Sequence, residues 1–160
     1  MADRSADHPV PIGTRHVFIN PVADTTAMAE ITQEMIDIMQ KQGIIAFATA
    51  SKDGVPNVVP VGMLFMGGDG NVWLVDNFLN KTLANMQENP RAAFYIWHPE
   101  SKDSYQIKGT VTVENSGEDY EKAVAFAHSR KETLPAKNLV KMRVEEIFYT
   151  TPGPNAGKPL

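Results

Sequence analysis

Apolar and polar positions alternate in short runs along most of the chain, and three stretches carry helical spacing instead. The first helix is predicted to begin at Asp24, where Asp24 or Thr25 can cap it. Ile31, Met35, Ile38 and Met39 then fall on one stripe until Gly43 stops it. The second opens with Asn80, Lys81 and Thr82 and ends at Asn89-Pro90. The third follows Ser116-Gly117-Glu118-Asp119, which resembles a capping signal. It carries Tyr120, Val124 and Ala127 before Pro135.

Strands fill the intervals. Residues 44–50 are a short apolar run, and Asp53-Gly54 beyond it is a hairpin signal. The returning strand covers 57–65. Its Pro60 removes a ladder donor and its Gly62 removes a side chain, so an edge, a bulge or a ligand is required there. Gly67-Gly68-Asp69-Gly70 turns the chain into a third strand at 71–76, and further strands are predicted at 91–97, 104–114 and 138–149. Consecutive hairpin-linked strands with few helices predict a mainly β (α+β) fold, an antiparallel six-stranded barrel with flanking helices. Residues 24–150 make up that domain. Residues 1–23, with Pro9, Pro11 and Pro21, read as an extended N-terminal arm. The arm either straps a neighbour through Val17, Phe18 and Ile19 or is a loose leader. The Pro/Gly-rich tail 151–160 reads as a frayed end or as a segment wrapping back.

Composition narrows the function. A chain of 160 residues, 42% hydrophobic and 21% charged, is expected to be one soluble domain. The net charge of −4, with scattered Lys and Arg, argues against nucleic acid as a partner. Cysteine is absent, which removes disulfides, thiolate metal sites and thiol nucleophiles and suits a cytoplasmic location. No run reaches the roughly 20 apolar residues of a membrane span, and the first residues lack the apolar core of a secretory signal. His8, His16, His98 and His128 are widely separated, so no metal site is expected. No Ser–His–Asp set, paired-carboxylate motif or phosphate-binding Walker loop is visible, and the catalytic residues stay unassigned.

One place invites a charged ligand. Lys81 and Thr82 sit in the first turn of a helix at the mouth of a sheet, where unpaired amides and the helix dipole favour an anion. A lysine at that position opposes the dipole unless an anion joins it. Thr82 reads equally as a cap, Asp76 equally as a helix-entry residue, and Asn77 and Asn80 as turn formers.

The order of elements resembles the pyridoxamine 5′-phosphate oxidase-like family of FMN-binding split barrels, especially its short FMN-binding proteins and flavin reductases. The residues that carry the likeness include Ser51-Lys52-Asp53-Gly54, Asn80-Lys81-Thr82, Asn89-Pro90-Arg91 and Gln106-Ile107-Lys108-Gly109, within a stretch from about Gly43 to Glu114. The resemblance implies that Lys81 contacts the FMN phosphate with help from Asn80 and Thr82. Val59, Pro60, Val61 and Gly62 would run along the isoalloxazine, and Val75 and Asp76 would line the ribityl chain. Gln106 would come from the partner subunit of an obligate homodimer.

The implied activity is an FMN-dependent oxidoreductase taking electrons from a reduced nicotinamide or another small-molecule redox substrate. The alternatives are a non-catalytic FMN-binding protein or electron carrier of the same fold, and a barrel that holds haem. The sequence departs from the family in having no Arg between Asn57 and Gly62, and nothing after Tyr149 resembles a substrate-holding extension. Vitamin B6 oxidation is therefore not expected. From the residues alone, Gln106 is an outward-facing strand position, and Trp73 and Trp97 read as core or interface anchors in preference to stacking partners.

Overall fold

The computed structural model describes residues 29–160. The arm at 1–23 and the caps expected at Asp24 and Thr25 lie outside the described residues. Helix α1 (Gln33–Gln42) starts at Thr32, whose Oγ1 accepts a hydrogen bond from the Met35 amide at 3.3 Å. Ile31 thus precedes the helix, although it still packs on the core beside Met35, Ile38 and Met39. Gly43 ends the helix with a φ of 69°, and its amide reaches Met39 O at 3.2 Å.

All strand pairings are antiparallel, in one sheet of the order β2 (Pro56–Val61), β1 (Ile45–Ala50), β5 (Arg91–Trp97), β6 (Ser104–Glu114), β7 (Asn138–Tyr149), β4 (Val72–Asp76), β3 (Leu64–Met66). Strands β1 (Ile45–Ala50) and β2 (Pro56–Val61) form the hairpin expected at Asp53-Gly54, with Gly54 at a φ of 84°. The single strand expected at 57–65 is two. After β2 the chain breaks at Gly62-Met63 and resumes as β3 (Leu64–Met66), so the sheet is 7-stranded, not six-stranded. Of the edge, bulge or ligand that Pro60 and Gly62 called for, the structure supplies an edge. β2 and β3 are the two opposite edges of the sheet, yet only Gly62 and Met63 separate them in sequence. A sheet whose ends are tied so closely must curl into a barrel, and the ladder is open at that seam. Met63 O accepts from the Val75 amide at 3.1 Å and fixes the crossing against β4 (Val72–Asp76).

Strands β5 (Arg91–Trp97), β6 (Ser104–Glu114) and β7 (Asn138–Tyr149) form the long wall. On β5, Ala92, Phe94 and Ile96 point into the core, while Arg91, Tyr95 and Trp97 point out. A register shift at Lys108/Gly109 bends β6, and a Cβ at Gly109 would lie 2.0 Å from Arg143 O. Helix α2 (Lys81–Glu88) buries Met86 in the barrel core. Helix α3 (Glu118–Arg130) covers the outer side of β4, where Trp73 and Val75 meet Ala123 and Ala127. Both faces of β4 are therefore buried. The capping signal at Ser116 did not materialise, because Gly117 occupies the cap without a side-chain bond. The tail is not frayed: Phe148 pairs with Pro159, and Leu160 N reaches Ile147 O at 2.8 Å, so it folds back along β7.

Candidate functional site

The seam between β2 and β4, roofed by the start of α2, encloses a cleft of about 560 Å³. That is ample for a cofactor-sized ligand. Val59, Pro60, Val61 and Gly62 line it from the edge strand, and Val75 lines it from β4. Asn80, Lys81 and Thr82 meet it from α2. Eight of the expected ligand-binding residues thus converge on one cavity. A somewhat larger groove of about 660 Å³, between α1, β3 and α3, shares Gly62 and Met63 with it but has no helix N-terminus in its wall.

The electrostatics of the cleft come from α2. Asn80 holds the N-cap position without a side-chain cap bond, and the first turn contains no acidic residue. Among the described residues its leading amides consequently have no side-chain acceptor, and its own first turn brings no carboxylate to the positive end of the dipole. Lys81 is exposed at the cleft and makes no ion pair among the described residues. An uncapped helix start with an unpaired cation beside an apolar wall fits a phosphorylated planar ligand such as FMN. Lys81 and the first-turn amides would hold the phosphate, and the β2 edge would face the ring.

Thr82 is 1% exposed and tied into a polar cluster. Its Oγ1 accepts from Asn57 Nδ2 at 3.0 Å. The same Nδ2 donates to Thr49 Oγ1 at 3.2 Å, and Asn85 Nδ2 donates to Thr49 Oγ1 at 3.1 Å. Asn85 is fully buried and its Oδ1 has no partner among the described residues. A Cβ at Gly62 would come 3.3 Å from Ile44 Cδ1, so packing alone already favours a small residue there.

Two expected residues lie elsewhere. Asp76 does not line the cleft. It is fully buried, its Oδ1 accepts from the Leu79 amide at 2.8 Å, and its Oδ2 accepts from Asn138 Nδ2 at 2.7 Å. It shapes the loop, with both carboxylate oxygens bonded within the protein. Gln106 sits on the outer face of the sheet, paired with Tyr95 and Phe148 and outside this chain's cleft. Trp73 is a core residue, edge-on to Phe65, while Trp97 is 42% exposed on the outer face.

Sequence reasoning missed Met63, Leu74, Phe78, Leu79 and Leu134 as wall residues and left Asn77 as a turn former. Asn77 Oδ1 accepts from the Ala136 amide at 3.0 Å, which brings the loop carrying Leu134 to the cleft. Phe78 is 73% exposed, and an aromatic between two asparagines in a short connection was the available signal.

Comparison with known proteins agrees with this architecture. Residues 31–151 match the pyridoxamine 5′-phosphate oxidase family. The chain belongs to that family. An uncharacterized protein of Methanocaldococcus jannaschii is 37% identical over 135 residues, covering 82% of this chain and 89% of its own. Among solved structures, HupZ of Group A Streptococcus superposes with a TM-score of 0.68 at 29% identity, over 79% of this chain and 99% of that one. An FMN-binding protein from Syntrophomonas wolfei gives 0.61 at 18%, over 70% and 80% of the two chains. HutZ, a haem storage protein from Vibrio cholerae, gives 0.60 at 14%, over 76% and 95%. The last two likenesses concern the fold alone. Proteins of this fold thus include one named as FMN-binding and one named as a haem storage protein.

Proposed function

We propose that this family member is an FMN-binding flavoprotein, and an oxidoreductase passing electrons from a reduced nicotinamide or small donor through FMN. The observation that carries this reading is the uncapped start of α2, with Lys81 unpaired at the apolar cleft. When bound, the flavin supplies the electron and hydride transfer, so no side-chain acid or base is needed. Lys81 and the first-turn amides of α2 bind the phosphate. Val59, Pro60, Val61 and Gly62 exclude water from one side of the ring, and Phe78 stands exposed at the mouth. Haem finds no histidine in the cleft wall among the described residues, where His98 and His128 both lie outside it. His98 takes the amides of Glu100 and Ser101 on Nδ1, and His128 meets Leu134 O at 3.0 Å.

A homodimer is part of the same proposal. On the outer face, Val58, Tyr95 and Trp97 are 66%, 48% and 42% exposed, beside Ala48, Ala93 and Gln106. An apolar sheet face of that kind is a candidate for burial against a second copy. Gln106 on that face is available to the partner's cleft.

The test is the absorption spectrum of untreated protein, with the released cofactor identified by mass. Flavin bands and FMN support the reading; haem bands or a colourless protein that takes up no FMN overturn it. Anaerobic mixing with NADH or NADPH then separates the enzyme from a non-catalytic carrier: rapid bleaching marks turnover, and an unchanged flavin marks the carrier.

A further inference from the structure

The position facing α2 on the edge strand is Asn57, which lies outside the cleft wall yet touches it through one residue. Its Nδ2 carries two hydrogens, and the two nearby acceptors are Thr82 Oγ1 at 3.0 Å and Thr49 Oγ1 at 3.2 Å. Thr49 and Thr82 are 5% and 1% exposed, so neither hydroxyl is satisfied by bulk water. Thr82 Oγ1 spends a lone pair on Asn57. Its own hydrogen has no protein acceptor among the described residues, while the residue borders the cleft. A buried hydroxyl with its oxygen held from behind and its hydrogen unclaimed is an oriented donor.

We infer that Asn57 is a positioning residue that, by fixing the Thr82 hydroxyl as a donor into the cleft, sets the preference for a phosphorylated over an unphosphorylated flavin. The inference rests on the FMN reading above. Thr82 is the second residue of α2, beside the uncapped amides and Lys81, and with its oxygen held by Asn57 its hydroxyl is free to turn its hydrogen toward a phosphate oxygen in the cleft it lines. Asn57 is not part of the cleft wall, so its contact with the site runs through Thr82, and its second hydrogen, on Thr49, keeps the amide from rotating. Asn85 supports the array from below through the same Thr49 oxygen at 3.1 Å.

The experiment titrates apoprotein with FMN and with riboflavin, following flavin fluorescence. The wild type is expected to bind FMN more tightly. Asn57→Leu is expected to weaken FMN by roughly tenfold, the scale of one hydrogen bond to a charged group, with riboflavin affinity unchanged. Thr82→Val should do the same, Thr82→Ser should restore the wild-type ratio, and the double variant should be no worse than Thr82→Val alone. Asn57→Ala, which demands no new packing, carries the test if Asn57→Leu does not fold. An FMN-to-riboflavin ratio that survives loss of Asn57, or losses that multiply in the double variant, overturns the inference. Equal affinity of the wild type for both flavins overturns the phosphate reading itself.

Discussion

Asp76 and Leu79 are joined by a 2.8 Å hydrogen bond from the Leu79 amide to Asp76 Oδ1, which folds the end of β4 back toward the start of α2. The other carboxylate oxygen holds Asn138 at the start of β7. One buried side chain thus sets the angle at which the α2 N-terminus meets the barrel. A residue expected to touch a ligand instead braces the loop that leads into the cleft.

Asp76→Ala leaves the Leu79 amide and the Asn138 amide group without their acceptor. The expected loss of stability is about 3 kcal/mol, from two hydrogen bonds to a buried carboxylate. Urea unfolding followed by tryptophan fluorescence measures it. FMN affinity should fall as well, because the loop that presents Lys81 is released.

A second anchor lies at the β3–β4 turn and is sensitive to pH. Lys141 meets Asp119 at 2.8 Å and Asp69 at 2.9 Å, and Asp69 also accepts from Trp73 Nε1 at 2.9 Å. Burial pushes the Asp69 carboxyl up, but hydrogen bonds from Lys141, Asn71 and Trp73 outweigh it and hold the group well below its usual 3.8. A depressed carboxyl adds stability that is present above its unfolded value and is lost as pH falls toward the folded one. The hydrogen bonds that Lys141 donates to Asp119 and Asp69 raise its pKa above the usual 10.5, so its share holds below that value and fades at more alkaline pH. The urea midpoint of the wild type should therefore drop below pH 4 more steeply than that of Asp69→Asn. Parallel acid limbs for the two proteins would dismiss this clasp as a contributor.

Gly109 sits at the register shift on β6, where a Cβ would lie 2.0 Å from the Arg143 carbonyl oxygen. Backbone cannot yield as a flexible side chain can. Gly109→Ala should cost on the order of 2 kcal/mol or more and unsettle the β6–β7 pairing. Thermal unfolding checks this, and a variant as stable as wild type would mean that the bend is freely adjustable.

The outer face supplies a test of assembly. Val58 and Trp97 lie on the open side of the sheet, so replacing either with Glu should leave the core intact. The wild type is expected to run as a dimer in light scattering and Val58→Glu or Trp97→Glu as a monomer. A monomeric wild type contradicts the proposed dimer.

The long wall was legible in the sequence because each strand there alternates and meets a clear stop. Pro99 ends the run of β5, and the alternation through Thr110, Val111, Thr112 and Val113 marks β6. Pro60 and Gly62 announced an edge, but their neighbours in sequence could not reveal that both edges of the sheet meet there. The third helix shows the limit of local signals: Ser116 offers a hydroxyl, yet the chain takes Gly117 as the cap, with a φ of 99°. Within the site, Lys81 and its neighbours followed from the start of a helix. Asp76 and Leu134 did not, because contacts with Asn138 and, through Ala136, with Asn77 decide where they face.

Lys81 is the residue on which the functional account turns. The most direct measurement is the FMN dissociation constant of Lys81→Ala beside that of the wild type, at low and at raised salt. The account predicts that the variant binds at least about tenfold more weakly and that its salt dependence is shallower, since one charge-assisted contact to phosphate is gone. Unchanged affinity and salt dependence in a folded Lys81→Ala protein would contradict it.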